Sequence, residues 1–249
     1  MVFLKTRSDI DKIREAGKIV AETLNRVKEL VVPGVSTWEL NEAAENLIGS
    51  YPDCRPAFKG YGGFPGTLCT SLNEQVVHGI PSRENILRDG DLLSVDVGVV
   101  RRSFYADAAA TFIIGKPRKN QTRLLECAAR ALDAGIGQAV AGNRIGDIGH
   151  AVDRVAKQEN YSVVRDLVGH GIGQNLHEDP QVPNFGKPQS GYPLKEGLVI
   201  AIEPMINEGT HEVRTLDDNW TVVTADGKLS AHIEHTVAVG PNGPEILTN

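Results

Sequence analysis

The stretch LLSVDVGVVRRSFYADAAATF, residues 92–112, determines the fold of this chain. It contains two runs rich in β-branched and small apolar residues, which flank the pair Arg101 and Arg102. Runs of this length with a short connection predict an antiparallel β-hairpin. If the two arginines form the turn, Asp96 lies directly opposite Asp107, with Cβ atoms ~5 Å apart. The hairpin therefore brings two carboxylates together.

These two carboxylates lie on largely apolar strands and repel each other. Burying either one without a partner costs several kcal/mol. Arginine partners or one protonated aspartic acid could relieve the repulsion, but a divalent cation compensates both charges at once. The sequence therefore favours a metal site on the hairpin.

A later part of the chain resembles the first strand of the hairpin and the turn that precedes it. LKEGLVIAIEP, residues 194–204, aligns with LRDGDLLSVDV, residues 87–97. The alignment places Glu203 at the position of Asp96, so a carboxylate matches a carboxylate.

The second strand of the hairpin has a counterpart as well. AHIEHTVAV, residues 231–239, aligns with FYADAAATF and places Glu234 at the position of Asp107. The string HGI adds one histidine to each half, His78 and His170. Four carboxylates and one imidazole would form an oxygen-dominated site for two ions such as Mn, Fe or Co, ~3.5 to 4 Å apart.

Helical patterns precede both strand pairs. Apolar residues recur every three or four positions over 10–31, which predicts a long helix capped by Ser8. A shorter helix is predicted to begin near Ser36, and the same pair of helices returns over 125–140 and 145–155.

Helix pairs followed by strand pairs, repeated once, predict an α+β protein. We expect a single domain over 1–249, built from half-repeats at about 1–117 and 118–249. An approximate twofold axis would relate the halves, with antiparallel sheet at the centre and helices on its flanks.

Composition and missing motifs exclude several classes of protein. The net charge of −6 gives no general attraction to nucleic acid, and three cysteines without C-x-x-C spacing argue against disulfide or thiolate-zinc frameworks. The N-terminus is charged and no apolar run reaches ~18 residues, so we expect a cytoplasmic protein that does not enter membranes.

Two rival motifs fail. In GHGIGQNL, residues 169–176, Gln174 stands where a dinucleotide-binding loop needs its last glycine. Cys69 with His78 could form a thiol nucleophile, but no third group that would orient them is evident, and a small buried cysteine is the simpler interpretation.

Five strings together carry a resemblance to a known family. They are NEQVVHGIP (73–81), DLLSVDVGVV (91–100), GHGIGQNLHEDPQVPN (169–184), IAIEPMIN (200–207) and DDNWTVVTADGKLSAHIEHTV (217–237). With them the chain resembles, over essentially its whole length, the short bacterial type I methionine aminopeptidases, which have the pita-bread fold. The resemblance implies a single catalytic domain with two divalent ions, Co, Mn, Fe or Zn. The metal ligands it implies are Asp96, Asp107, His170, Glu203 and Glu234.

The resemblance also implies the reaction, which is removal of the initiator methionine from nascent polypeptides. A water or hydroxide that bridges the two ions would attack the first peptide carbonyl, with Glu203 as general base. His177 would stabilise the oxyanion and His78 would position the scissile amide. From the residues alone, either histidine could instead be a structural residue, and His177 more readily than His78, which the repeat pairs with His170.

A small apolar pocket for the methionine side chain is a further implication of the resemblance. Its wall would consist of Tyr61, Phe64, Cys69, Leu176 and Trp220. Ordinary core packing would explain the same residues.

Three positions depart from the pattern of many bacterial members. Gly62 and Leu176 replace a histidine and a phenylalanine, which changes the rim and the shape of the pocket. Ser94 replaces a common asparagine beside Val97 and Ser230, where the resemblance implies an auxiliary monovalent cation.

The resemblance further implies that the partners are nascent peptide N-termini and, weakly, the ribosome, and we expect a monomer. Two alternatives stay open at this point. A prolidase or proline-specific aminopeptidase would use the same five ligands, although we expect no room for the extra N-terminal domain of those relatives. A fold relative without metals would act as a binding or scaffolding protein.

Overall fold

A computed structural model describes all residues of the chain, 1–249. The chain contains four α-helices and fifteen strands, with the helices in two pairs that are each followed by a run of strands. The helices are α1 (Arg7–Leu30), α2 (Thr37–Gly49), α3 (Lys119–Ile136) and α4 (Ile145–Gln158). The strands are β1 (Cys54–Pro56), β2 (Leu68–Leu72), β3 (Gln75–Val77), β4 (Leu92–Arg101), β5 (Phe104–Ile113), β6 (Ser162–Val163), β7 (Gly169–Gly171), β8 (Glu178–Val182), β9 (Val199–Ile202), β10 (Met205–Asn207), β11 (Val213–Thr215), β12 (Val222–Thr224), β13 (Ser230–His232), β14 (His235–Gly240) and β15 (Gly243–Ile246).

The helix pairs form as the apolar periodicity predicts. Ser36 caps α2, and its hydroxyl accepts a hydrogen bond from the Glu39 backbone N–H. The cap predicted for α1 is wrong, because Thr6 and not Ser8 is the cap residue and Asp9 completes the capping box. None of the four helices has an apolar stretch of the length needed to span a bilayer.

The hairpin of β4 and β5 forms, but its register differs from the prediction. Arg101 pairs with Phe104, so that Arg102 and Ser103 form the turn. Both turn residues have positive φ, 47° and 67°, as a two-residue type I′ turn requires. Asp96 therefore pairs with Ala109 and not with Asp107. The shift is by two residues and an even shift preserves the face, so the two aspartates are diagonal neighbours on one face of the hairpin.

A second antiparallel sheet, ordered β15-β14-β9-β7-β8, meets the first along β5 and β14. The Glu234 backbone N–H donates to the Ala109 carbonyl at 3.0 Å. The Asp107 N–H donates to the Thr236 hydroxyl at 3.1 Å. These bonds place Asp107 of β5 beside Glu234, which precedes β14.

Each helix pair covers one of these two sheets. One apolar cluster joins α1 and α2 to β4 and β5. Another joins α3 and α4 to β9 and β14. Asp96 and Asp107 lie within β4 and β5, on the first sheet. Glu203 directly follows β9 and Glu234 directly precedes β14, so the second sheet carries the other two acids.

Gly17 shows how closely α1 packs against the end of the chain. A Cβ at this position would lie 2.0 Å from the Leu247 carbonyl oxygen. We expect Gly17→Ala to lower the free energy of unfolding by about 1–3 kcal/mol, because neither backbone can move away easily. Urea unfolding measures this loss.

Gly49→Ala in α2 is the matched control, since a Cβ at position 49 would have no neighbouring atom within 4 Å. We expect this variant to be as stable as the parent or more stable by up to about 1 kcal/mol. Equal unfolding midpoints for Gly17→Ala and the parent would contradict the close packing.

Candidate metal centre and active site

One cavity of about 220 Å³ contains all twelve site residues that the sequence indicates. They are Tyr61, Phe64, Cys69, His78, Asp96, Asp107, His170, Leu176, His177, Glu203, Trp220 and Glu234. These residues are contributed by β2, β4, β5, β7 and the segments between strands, so the fold collects them from across the chain. Ser94, Val97 and Ser230 are not among the residues that line this cavity.

The acids and histidines of the cavity fall into two overlapping groups. The ligand atoms of Asp107, His170 and Glu234 lie within 4.8 Å of one another, and so do those of Asp96, His232 and Glu234. Glu234 belongs to both groups, which is the arrangement of a carboxylate that bridges two ions. Glu203 Oε1 lies 3.6 Å from His170 Nε2, on the side of the first group.

Neighbouring polar groups hold several of these side chains in place. The Thr236 hydroxyl lies 3.0 Å from Asp107 Oδ1. His170 Nδ1 lies 2.9 Å from the Gly171 carbonyl, which leaves its Nε2 facing Asp107. Asn184 donates to the Glu203 carbonyl at 3.0 Å. Such contacts orient ligands before an ion binds.

The buried negative charges of the cluster favour the binding of a cation. Burial, and then the nearby acids, raise the pKa values of Asp96 and Glu234 well above their ordinary range. Burial raises the pKa of Glu203 to about 8. Burial alone would lower the pKa of His170, but Asp107 and Glu203 outweigh it and raise this pKa to about 9.

Histidine is the only basic residue type that forms salt bridges with these acids. The salt bridges of the cluster acids are all with His170 or His232, and none is with lysine or arginine. Asp96 Oδ1 is buried without a hydrogen-bond partner. A donor set of carboxylate oxygens with imidazole nitrogen suits divalent ions, so the residues present fit a pair of them.

His177 lies in the cavity directly beside the cluster. Its ring centroid lies 4.3 Å from that of His170. Burial, and then the charge of His170, lower the pKa of His177 to about 4, so its ring is neutral near pH 7. The Tyr61 hydroxyl lies 2.8 Å from Nδ1, and a hydrogen bond donated by the tyrosine leaves the proton of the neutral ring on Nε2.

His78 follows β3 in a left-handed backbone conformation, with a φ of 59°. A non-glycine residue held in this region is strained, and such strain is concentrated at functional sites. Burial lowers the pKa of His78, and its ring lies edge-on to Trp220 with centroids 6.3 Å apart.

The apolar side of the cavity is built around Phe64 and Trp220, whose rings meet edge to face at 5.1 Å. Leu176 is buried, whereas Tyr61 is exposed at the rim. Cys69 lies opposite Asp96 on the neighbouring strand, and burial raises the pKa of its thiol well above the ordinary value. A thiol that stays protonated does not act as the nucleophile considered from the sequence.

His232 is the one potential metal ligand of the cavity that the sequence did not indicate. It lines the cavity, is 2% exposed, and belongs to the second ligand group. Its position two residues before Glu234 was the available signal, because alternate residues of an extended segment share a face.

A buried cluster of carboxylates and histidines, open to a cavity with an apolar wall, is characteristic of metal-dependent hydrolases. The sequence pattern of metallopeptidase family M24 matches residues 11–241, and the chain belongs to this family.

Full-length relatives support the assignment. The chain is 51% identical to "Methionine aminopeptidase" of Clostridium perfringens strain 13, over 100% of this chain and 99% of the relative. It is 46% identical to "Methionine aminopeptidase 1" of Bacillus subtilis strain 168, again over 100% of this chain and 99% of the relative.

Solved structures agree with the predicted fold. The methionine aminopeptidase of Thermotoga maritima is 42% identical and superposes with a TM-score of 0.98 over 100% of both chains. The prolidase of Pyrococcus horikoshii shares the fold alone, at 22% identity and a TM-score of 0.80. The α+β pita-bread architecture predicted from the sequence is confirmed.

Proposed function

We propose that this enzyme is a methionine aminopeptidase, which removes the initiator methionine from nascent polypeptides. The observation that carries the proposal is a single cavity in which an apolar pocket adjoins the carboxylate cluster. Full-length identity of 51% to a relative of that name supports the same reaction.

Five residues would hold two divalent ions. They are Asp96, Asp107, His170, Glu203 and Glu234. When bound, the ions would polarise the scissile carbonyl and lower the pKa of a water molecule. Co, Mn, Fe and Zn all suit this mixture of oxygen and nitrogen donors.

Glu203 would move the proton during hydrolysis. Its carboxylate lies 3.6 Å from His170 Nε2, and its backbone is held by Asn184. From that position it would take a proton from the attacking water and deliver it to the leaving amine.

Two of the four cavity histidines, His177 and His78, would act on the substrate directly. His177 would donate from Nε2 to the carbonyl oxygen as negative charge develops there. His78, whose ring lies near that of Trp220, would position the scissile amide.

The apolar wall would select methionine. Phe64, Cys69, Leu176 and Trp220 would surround the thioether side chain, with Tyr61 at the rim. A flexible, polarisable side chain fits an aromatic pocket of this kind, because sulfur contacts ring edges favourably. Gly62 contributes to the shape of the rim, since a Cβ there would lie 3.3 Å from the Trp220 ring.

We further propose a cytoplasmic monomer that acts on nascent N-termini, with weak ribosome association. An auxiliary monovalent cation would bind near Ser94, Val97 and Ser230. The chain would form one catalytic domain with half-repeats at about 1–117 and 118–249, which the coverage of each sheet by its own helix pair supports.

The test is a comparison of two peptides. The protein is dialysed against a chelator, reloaded with Mn or Co, and assayed with Met-Ala-Ser and with an X-Pro dipeptide. We expect metal-dependent release of methionine from the tripeptide and no cleavage of the dipeptide. Cleavage of the dipeptide alone would favour a prolidase, and no metal-dependent cleavage of either would favour a binding protein.

A further inference from the structure

His232 is a buried side chain without hydrogen-bonding partners, located inside the cavity. Neither of its ring nitrogens has a hydrogen-bond partner, although the residue is 2% exposed. An imidazole buried in this way loses its bonds to water without replacement, which is unfavourable unless another group satisfies it.

The surroundings of His232 indicate what that group is. Its Nε2 lies 3.8 Å from Glu234 Oε2. One ligand atom from each of Asp96, His232 and Glu234 lies within 4.8 Å of the other two. Asp96 Oδ1 also lacks a partner. Ligand atoms ~2.0–2.2 Å from a common metal ion are separated by distances of this order.

Hydrogen bonds and strand pairing fix the backbone of His232, which limits where its ring can lie. Its N–H lies 3.2 Å from both the Ser94 and the Thr111 hydroxyls, and the Thr111 hydroxyl donates to its carbonyl at 2.6 Å. On its other side, β13 pairs His232 with Met205 of β10. The backbone of His232 is therefore held by the hairpin that carries Asp96.

We propose that His232 is a sixth protein ligand, which binds the ion that Asp96 and Glu234 hold. The inference rests on the proposed dinuclear site and deepens it. Each ion would then have one imidazole, His170 on the Asp107 side and His232 on the Asp96 side. A nitrogen at both positions favours Co, Fe or Zn over Mn, because imidazole suits the former ions.

Proton NMR of the Co(II)-loaded protein tests this without any mutation. A histidine that binds Co(II) shows a strongly shifted ring N–H signal, and labelling histidine with ¹⁵N identifies it. We expect two such signals from the unmodified enzyme. A single signal, from His170, would overturn the proposal.

The variant His232→Gln assigns the second signal. We expect it to retain one shifted signal and to bind the weaker Co(II) ion at least about tenfold less tightly by titration calorimetry. His150→Gln, on α4 and outside the cavity, is the matched control and should keep two signals and the parent affinity. Unchanged Co(II) binding by His232→Gln would also overturn the proposal.

These outcomes are distinguishable from those of the peptide assay. An unmodified enzyme that cleaves Met-Ala-Ser with one shifted histidine would reject His232 as a ligand and keep the proposed function. Two shifted histidine signals without cleavage of Met-Ala-Ser would support His232 as a ligand and reject the proposed function. If His232→Gln does not fold, the signal count of the unmodified protein still decides.

Discussion

Glu234→Gln is expected to lose both metal ions and to reduce kcat/KM by at least about 10³-fold, since the ions supply several kcal/mol of transition-state stabilisation. Glu234 is the carboxylate common to both ligand groups, so its loss affects two ions and not one. The amide removes the negative charge and keeps the shape of the side chain. Metal content after gel filtration and the rate of Met-Ala-Ser cleavage measure the effect.

Glu212→Gln is the control for this variant, because Glu212 is exposed on a segment before β11. We expect it to keep two ions and the parent rate. If Glu234→Gln retained two ions and turned over normally, the bridging arrangement would be wrong. Thermal unfolding of both variants without metal shows whether the fold is preserved.

The location of the acids could be predicted from the sequence even though the strand register could not. The hairpin turn lies one residue later than expected, at Arg102 and Ser103, because these two residues adopt the positive φ of a type I′ turn. Moving a turn by one residue moves the register by two, so every side chain keeps its face. Asp96 and Asp107 therefore remain neighbours despite the error.

The start of α1 shows the limit of local patterns. Thr6 with Asp9 and Ser8 with Asp11 match the same capping pattern three residues apart. The structure uses the first pair, while Asp11 accepts a hydrogen bond from Arg14 at 2.7 Å. Local pattern alone could not decide between two equal caps.

His232 was missed for a different reason. When the two halves of the chain are aligned, His232 corresponds to Tyr105, which is not a metal ligand of the matching segment. Its role depends on contacts with Ser94 and Thr111, which lie more than a hundred residues away in sequence. An internal repeat identifies residues that both halves share. It does not identify a residue such as His232, whose counterpart in the other half is of a different type.

His177→Ala is expected to keep both ions and to lose about 10²–10³-fold in kcat, the range for removal of one oxyanion donor. His177 lies outside both ligand groups, so metal content should not change. Its ring is neutral near pH 7 because of burial and the adjacent His170, which lower its pKa to about 4. When the Tyr61 hydroxyl donates to Nδ1, the donor available to substrate is Nε2–H.

The measurements for His177→Ala are metal content, kcat and KM for Met-Ala-Ser, with His150→Ala as the control outside the cavity. A loss confined to kcat indicates an interaction made in the transition state, whereas a rise in KM alone indicates a contact made equally in the ground state. Unchanged turnover would reject the oxyanion role. Loss of an ion would instead place His177 among the groups that hold the metals, because its ring contacts that of His170, a proposed ligand, at 4.3 Å between centroids.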